Sequence, residues 1–212
     1  MFDTVLPESA RRALAVLADQ QLLPSETYLA GGTALALQLG HRLSFDFDFF
    51  TPTDFDVPET LKQLGRLDGF RLTRTADGTI LGEIPGTQVS LFRYSYPLIR
   101  PTADYLGVPL ASLADLGAMK LNAIADRGLR RDFVDFAVLI EGSSLAQFFK
   151  EYDEKYGVLA SNHLHLMKSL VYFDDADADQ QPKMIKDGFT WESIKRRVLA
   201  AVTEYRETVS NK

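Results

Sequence analysis

LAGGTALALQLGHRLSFDFDFF, residues 29–50, is the stretch whose reading decides the fold. It reads as a strand end, a double-glycine turn, a short helix from Thr33 to Leu39, a polar turn and a second strand. Gly40 is placed to end the helix, and His41 and Arg42 fall in the turn. The second strand carries Asp46 and Asp48, and residues i and i+2 of a strand project from the same face. Two carboxylates side by side among Phe45, Phe47, Phe49 and Phe50 repel each other unless a cation sits between them. A hard cation with oxygen ligands, Mg²⁺, resolves that repulsion. Gly31 and Gly32 precede the helix, where a missing Cβ lets backbone N–H groups approach an anion and the helix N-terminus favours phosphate. A lone D-x-D is ordinarily a pair of solvated acids on an edge strand. Beside a G-G turn, the metal reading outweighs it.

Working outward, Pro7–Asp19 reads as an amphipathic helix and Thr27–Ala30 as the strand feeding the glycine turn. After Pro58 a helix runs to about Leu67, followed by strands at Phe70–Thr75, Thr79–Ile84 and Thr87–Tyr96, with turn signals at Asp77-Gly78 and Pro85-Gly86. If Pro85-Gly86 is a two-residue turn, Glu83 faces Gln88 and Leu81 faces Ser90, so Glu83 and Ser90 share a face. Pro97 and Pro101 bracket a linker. From Ser112, with Asp115 three residues on as in a capping box, the pattern turns helical: a helix to Gly128, RRDFVDFAVLIEG, Leu145–Tyr156, His163–Tyr172, and Trp191–Glu207 after a Thr190 cap. The expected architecture is α+β: a mixed sheet with flanking helices over residues 1–100, then a helical half over residues 101–212 packed against it.

Composition narrows the class. The chain has 212 residues, 46% hydrophobic and 25% charged, as in an ordinary globular protein. With no cysteine there is neither a disulfide framework nor a thiolate metal site. There is no 18-residue apolar run and no secretory leader pattern at residues 1–12, so no membrane partner and a cytoplasmic location are expected. A net charge of −6 argues against a generally basic nucleic-acid-binding surface. Local arginines (Arg71 with Arg74, Arg127 with Arg130 and Arg131) leave room for an RNA backbone, although such clusters are more often solvated faces.

The order G-G, thirteen residues, then D-F-D-F resembles the signature of the polymerase-β-like nucleotidyltransferase superfamily. More narrowly, GGTALALQLGHRLSFDFDFF resembles the AbiEii/AbiGii-type toxin family, whose pattern runs GGTAL, HR, S and DxD. A second stretch, DLGAMKLNAIADRGLRRDFVDFAVL at residues 115–139, resembles that family's downstream motif of a Lys, an Arg-Gly turn and R-D-x-x-D. The resemblance implies a polymerase-β-like fold and Mg²⁺-dependent transfer of a nucleotide from a nucleoside triphosphate to an acceptor such as an RNA or a protein. A toxin role opposite a cognate antitoxin goes with it. It implies that Asp46 and Asp48 bind the metal, and that Gly31, Gly32, Thr33, Arg42 and Ser44 hold phosphate. Lys120 then neutralises triphosphate charge, and Asp132 orients Lys120 or acts near the acceptor, with Asp135 a structural partner.

The chain departs from that family at one position. Where the family pattern places a third carboxylate on a later strand, roughly V-D-L, this chain has Val89-Ser90-Leu91. Glu83 is the candidate to compensate as a further metal ligand. The rival reading is a catalytically silent member that binds a nucleotide or a protein partner and regulates. Two other clusters carry less. Asp175, Asp177 and Asp179 have calcium-loop spacing, but Gln180 and Lys186 replace the required Gly and Glu, so a solvated acidic loop is expected. His163 and His165 lie on different helix faces and do not chelate one ion. Trp191 reads as core.

Overall fold

The computed structural model describes residues 1–19 and 21–210, and it divides into two compact units, Met1–Ser112 and Leu113–Lys212. The architecture is α+β: among the described residues, every strand of the sheet belongs to the first unit, and the second unit is built on helices.

The first unit opens with a 3-10 turn, Asp3–Val5, and the helix α1, Glu8–Asp19, whose Ala10, Leu14 and Leu17 are buried. Then come β1 (Tyr28–Ala30), α2 (Gly31–Leu39), β2 (Phe47–Thr51), α3 (Val57–Leu64), β3 (Arg71–Ala76), β4 (Thr79–Ile84), β5 (Thr87–Arg93), β6 (Ala103–Tyr105) and β7 (Val108–Leu110). Among the described residues these strands form one mixed sheet in the order β3-β4-β5-β2-β1-β7-β6. β2 runs parallel to β5 and antiparallel to β1.

Register gives the sheet two distinct faces. Leu110, Leu29, Phe49, Leu91 and Ile80 line up across five strands, all at most 1% exposed. This row is the core face. The next row, Ala30, Asp48, Ser90, Leu81 and Arg74, points the other way. The Pro85-Gly86 turn behaves as expected: Glu83 pairs with Gln88 and Leu81 with Ser90.

β3 contains an irregularity. Its pairing with β4 shifts between Leu72 and Arg74, leaving Thr73 as an extra residue. Arg71 lies opposite Glu83 and Arg74 opposite Leu81, so two arginines three residues apart share the face that carries Asp48.

The expected linker at Pro97–Gly107 instead contains β6 and the turn into β7, so the first unit runs through Ser112. α2 begins at Gly31 rather than Thr33, and β5 ends at Arg93 rather than Tyr96. Gly40, with φ 64°, ends α2 by donating its N–H to Ala36 O at 2.7 Å, the left-handed stop expected of a glycine there.

The second unit comprises α4 (Leu113–Asp126), α5 (Arg130–Leu139), α6 (Leu145–Tyr156), α7 (Ala160–Leu170), α8 (Asp174–Ala178) and α9 (Trp191–Ser210). Phe133, Phe136, Phe149, Leu121, Leu166 and Val198 are buried in its core. α4 begins at Leu113, directly after the expected start residue Ser112, with Asp115 in its first turn. Asp115 is fully buried 2.8 Å from Lys155 Nζ, and both side chains are 0% exposed. The acidic stretch expected to be a loop forms α8. Arg130 ties it down by donating to the carbonyls of Ala176 and Asp177, both at 2.8 Å, while Trp191 and Lys195 donate to the Asp177 carboxylate. Trp191 sits edge-on to Phe133 and Phe173, as its reading as core required.

Candidate active site

Seven of the expected site residues, Gly31, Gly32, Thr33, Arg42, Ser44, Asp46 and Asp48, come together where β1 ends, α2 begins and β2 starts. Gly31 adopts φ +66°, a left-handed conformation, and a Cβ there would lie 2.5 Å from Asp48 Oδ2. At Gly32 a Cβ would lie 2.1 Å from Arg42 Nη2 and 3.2 Å from Ser44 Oγ. Both glycines are therefore required by close approach: one backbone atom rests on a carboxylate, the next on a guanidinium and a hydroxyl.

Thr33 fastens α2 to the entry of β2. Its hydroxyl donates to Asp46 O at 2.5 Å and lies 2.9 Å from Ser44 Oγ. One hydroxyl carries one proton, so with that proton on the carbonyl, Ser44 is the donor in the second contact. Arg42 is 5% exposed and donates to Leu43 O at 2.9 Å. Asp46 lies just before β2, is exposed, and its Oδ1 is 3.4 Å from Gln88 N on β5. Asp48, half-buried, is paired across the sheet with Ala30 on one side and Ser90 on the other.

Glu83 is not part of this cluster. It sits on β4 with β5 between it and β2, and its carboxylate pairs with Arg71 at 3.0 Å. Among the described residues no three His, Cys, Asp or Glu side chains group as metal ligands. The donor set at β2 is thus two carboxylates on one face. That set suits Mg²⁺, which takes one or two carboxylates and completes its octahedron with water and substrate phosphates.

Lys120 and Asp132 belong to the second unit, within a buried ionic cluster. Lys120 Nζ lies 2.9 Å from Asp132 Oδ1 and 2.6 Å from Asp135 Oδ2, with side-chain exposures of 7%, 0% and 0%. Arg127 grips Asp132 in a fork, Nε to Oδ2 at 2.9 Å and Nη2 to Oδ1 at 3.1 Å. Burial alone pushes the Asp132 carboxyl up, but Lys120 and Arg127 beside it outweigh burial and hold it below the usual carboxylate range. Asp135 is therefore an equal ligand of Lys120. The arginines read as a basic patch are committed elsewhere: Arg127 to Asp132, and Arg130 to α8. Arg127 follows the Lys by seven positions and stands in the Arg-Gly turn of the downstream motif, a signal that could have marked it.

A strand, a Gly-Gly opening of a helix and a carboxylate pair on the adjoining strand define a nucleotidyltransferase fold, and solved structures share it. JHP933 from Helicobacter pylori aligns with a TM-score of 0.61 over 97% of this chain and 95% of its own, at 15% identity. MenT4, a nucleotidyltransferase toxin from Mycobacterium tuberculosis, aligns with a TM-score of 0.55 over 93% of this chain and 86% of its own, at 18% identity. An uncharacterized protein of Aquifex aeolicus (strain VF5) is 34% identical over 189 residues, covering 86% of this chain and 89% of that one. The chain belongs to the nucleotidyl transferase AbiEii toxin family of type IV toxin–antitoxin systems, which matches residues 12–102 and 82–207. Among the described residues no helix is long and apolar enough to cross a membrane.

Proposed function

We propose that this chain is a cytoplasmic Mg²⁺-dependent nucleotidyltransferase that moves a nucleotide from a nucleoside triphosphate to an RNA or protein acceptor, as the toxin opposite a cognate antitoxin. The observation that carries the reading is the packing of Gly31 against the Asp48 carboxylate and of Gly32 against Arg42 and Ser44. That packing sets metal-binding oxygens beside the N-terminus of α2, where the first backbone N–H groups lack partners within the helix.

Each residue then has a role. The opening N–H groups of α2 and the Ser44 hydroxyl hold phosphate oxygens. Thr33 keeps Ser44 and the Asp46 backbone in place, and Arg42 supplies positive charge behind Gly32. Asp46 and Asp48 hold the cation. A bound divalent ion supplies charge neutralisation to the triphosphate and Lewis-acid assistance at phosphorus. Lys120 contributes charge toward the triphosphate, with Asp132 and Asp135 orienting its ammonium.

Ser90 favours a second reading. The residue opposite Asp48 on β5 is a hydroxyl where the resemblance calls for a carboxylate. On that reading, a protein with two metal-binding carboxylates binds a triphosphate, transfers its nucleotide with release of pyrophosphate slowly or not at all, and regulates through binding.

One experiment separates these readings from a structural one. In Asp46→Asn/Asp48→Asn the shape stays and the charge goes, so calorimetry should show Mg²⁺-dependent triphosphate binding lost in a folded protein. Unchanged affinity in that variant overturns both readings. Transfer of a labelled nucleotide by the wild type then decides between enzyme and silent binder.

A further inference from the structure

The second unit holds a cleft of about 340 Å³ that the proposed function does not use. One wall is the C-terminal turn of α4 with Asp126, Arg127 and Gly128; the other is α7 and the segment after it, with His165, Lys168, Ser169, Tyr172 and Asp175. The α7 residues His165, Lys168 and Ser169 recur at i, i+3 and i+4, the spacing that puts side chains on one helix face, and Tyr172 and Asp175 follow the helix. His165, Lys168, Tyr172 and Asp175 are exposed, so the cleft opens to solvent.

The charges decide what fits. The fixed cations are Arg127 and Lys168, and the carboxylates are Asp126 and Asp175. A simple anion meets as many carboxylates as cations and gains little. The two characters are, however, segregated along α7. His165 lies mid-helix and Lys168 in the last turn, whereas Tyr172 and Asp175 follow the helix end. Along this wall the cleft is thus bipolar, basic before the helix end and aromatic and acidic after it. Its volume lies within the range of small-molecule sites.

From this juxtaposition we propose that the cleft is a second ligand site, taking a nucleoside monophosphate. The phosphate lies between Arg127, His165 and Lys168, the base against the Tyr172 ring, and the ribose or base donors reach Asp175. Arg127 is already oriented by its fork on Asp132, so its guanidinium is presented without ordering a free side chain. Tyr172 stays a protonated hydroxyl, because the Asp174 and Asp175 carboxylates beside it push its ionisation up. Arg127 also touches the Lys120 cluster, so occupancy of the cleft is felt at Asp132. The inference stands independently of the first-unit reading.

Adenosine 5′-monophosphate, adenosine and inorganic phosphate are titrated into the full chain in EDTA, with backbone amide shifts followed by NMR. Adenosine monophosphate should bind at least tenfold tighter than either fragment and move the amides of Gly128, Ser169 and Tyr172. Lys168→Ala and Tyr172→Ala, both at exposed positions, should each weaken it about tenfold, one charge-assisted contact or one stacked ring. Asp46→Asn/Asp48→Asn should leave it unchanged. The proposal is overturned if the monophosphate binds no better than phosphate, or if the two cleft variants bind as wild type does. It also falls if the shifts appear at Gly31, Gly32 and Ser44 and vanish in the Asp46/Asp48 variant; that result places the ligand in the first unit and leaves the proposed function standing.

Discussion

Replacing Gly31 by Ala tests the close approach on which the site is built. Two costs follow from the structure. Gly31 has φ +66°, and an L-residue held left-handed costs about 1–2 kcal/mol. The new Cβ would also lie 2.5 Å from Asp48 Oδ2 and 3.3 Å from Asp48 Cβ and Cγ, so the carboxylate must turn away. Holding a side chain off its rotamer costs roughly 0.5–1.5 kcal/mol. Together the destabilisation should be about 1.5–3.5 kcal/mol, readable as a drop of roughly 1 M in the urea midpoint of the transition that reports on the first unit. A double-mutant cycle with Asp48→Ala isolates the collision. With the carboxylate gone only the backbone cost remains, so Gly31→Ala should be milder there by about 0.5–1.5 kcal/mol. Triphosphate binding should fall in Gly31→Ala as well, since Asp48 has moved. Equal costs in the two backgrounds, within about 0.3 kcal/mol, would show that Gly31 and Asp48 do not touch, and the site geometry drawn here would be wrong.

Other outcomes follow from the same structure. Ser90→Asp, which sets a third carboxylate opposite Asp48, should raise nucleotide transfer by about 10²-fold or more with little change in triphosphate affinity. Glu83→Gln should leave transfer alone because Glu83 pairs with Arg71 away from β2, and a transfer rate abolished by Glu83→Gln would reverse that assignment. Lys120→Ala removes the cation shared by two fully buried carboxylates, leaving Asp132 to Arg127 alone, and should destabilise the second unit by about 3–5 kcal/mol in urea melts. Under native conditions it should weaken triphosphate binding more than nucleoside binding; a variant as stable as wild type would contradict the cluster. Stability of the second unit should also fall in acid. The Asp132 carboxyl titrates lower folded than unfolded, so its stabilisation is complete above the unfolded value of about 3.9 and is lost as pH falls through the folded value. Urea melts at stepped pH should show this slope, and Arg127→Ala should flatten it.

Much of the site could be read before any coordinates, because its determinants are local. The G-G turn, Thr33, Ser44 and the two aspartates fall within one short unit, and strand periodicity alone assigns Asp46 and Asp48 to one face. The Glu83–Gln88 and Leu81–Ser90 pairings followed from a two-residue turn. What escaped was what depends on distant partners. Ser112 and Asp115 marked the start of α4 correctly, but their spacing could not show that Asp115 is also buried against Lys155, forty positions along. The acids of α8 look like a solvated loop until Arg130 and Trp191 hold them. β6 and β7 have three residues each, too few for alternation to register, and flanking prolines disguised them as a linker. Asp135, expected as a structural partner, is one, but i, i+3 spacing alone could not show that it and Asp132 share the buried Lys120 ammonium.

The additional residue in β3 acts like a change of phase in a wave. In an uninterrupted strand Arg71 and Arg74, an odd number of positions apart, would fall on opposite faces; Thr73 brings them back into step. What the outer strand transmits to the carboxylate face is therefore encoded in that irregularity more than in side-chain identity. Almost any side chain at position 73 should leave both guanidiniums where they are. Deleting that one residue would leave Arg71, Leu72 and Arg74 opposite Glu83, Gly82 and Leu81 in a regular ladder, with both arginines still on this face. Straightening the strand at its present length would instead turn Arg71 over, so this face survives both substitution and the loss of the extra residue, and depends on the ladder absorbing that residue while it is there.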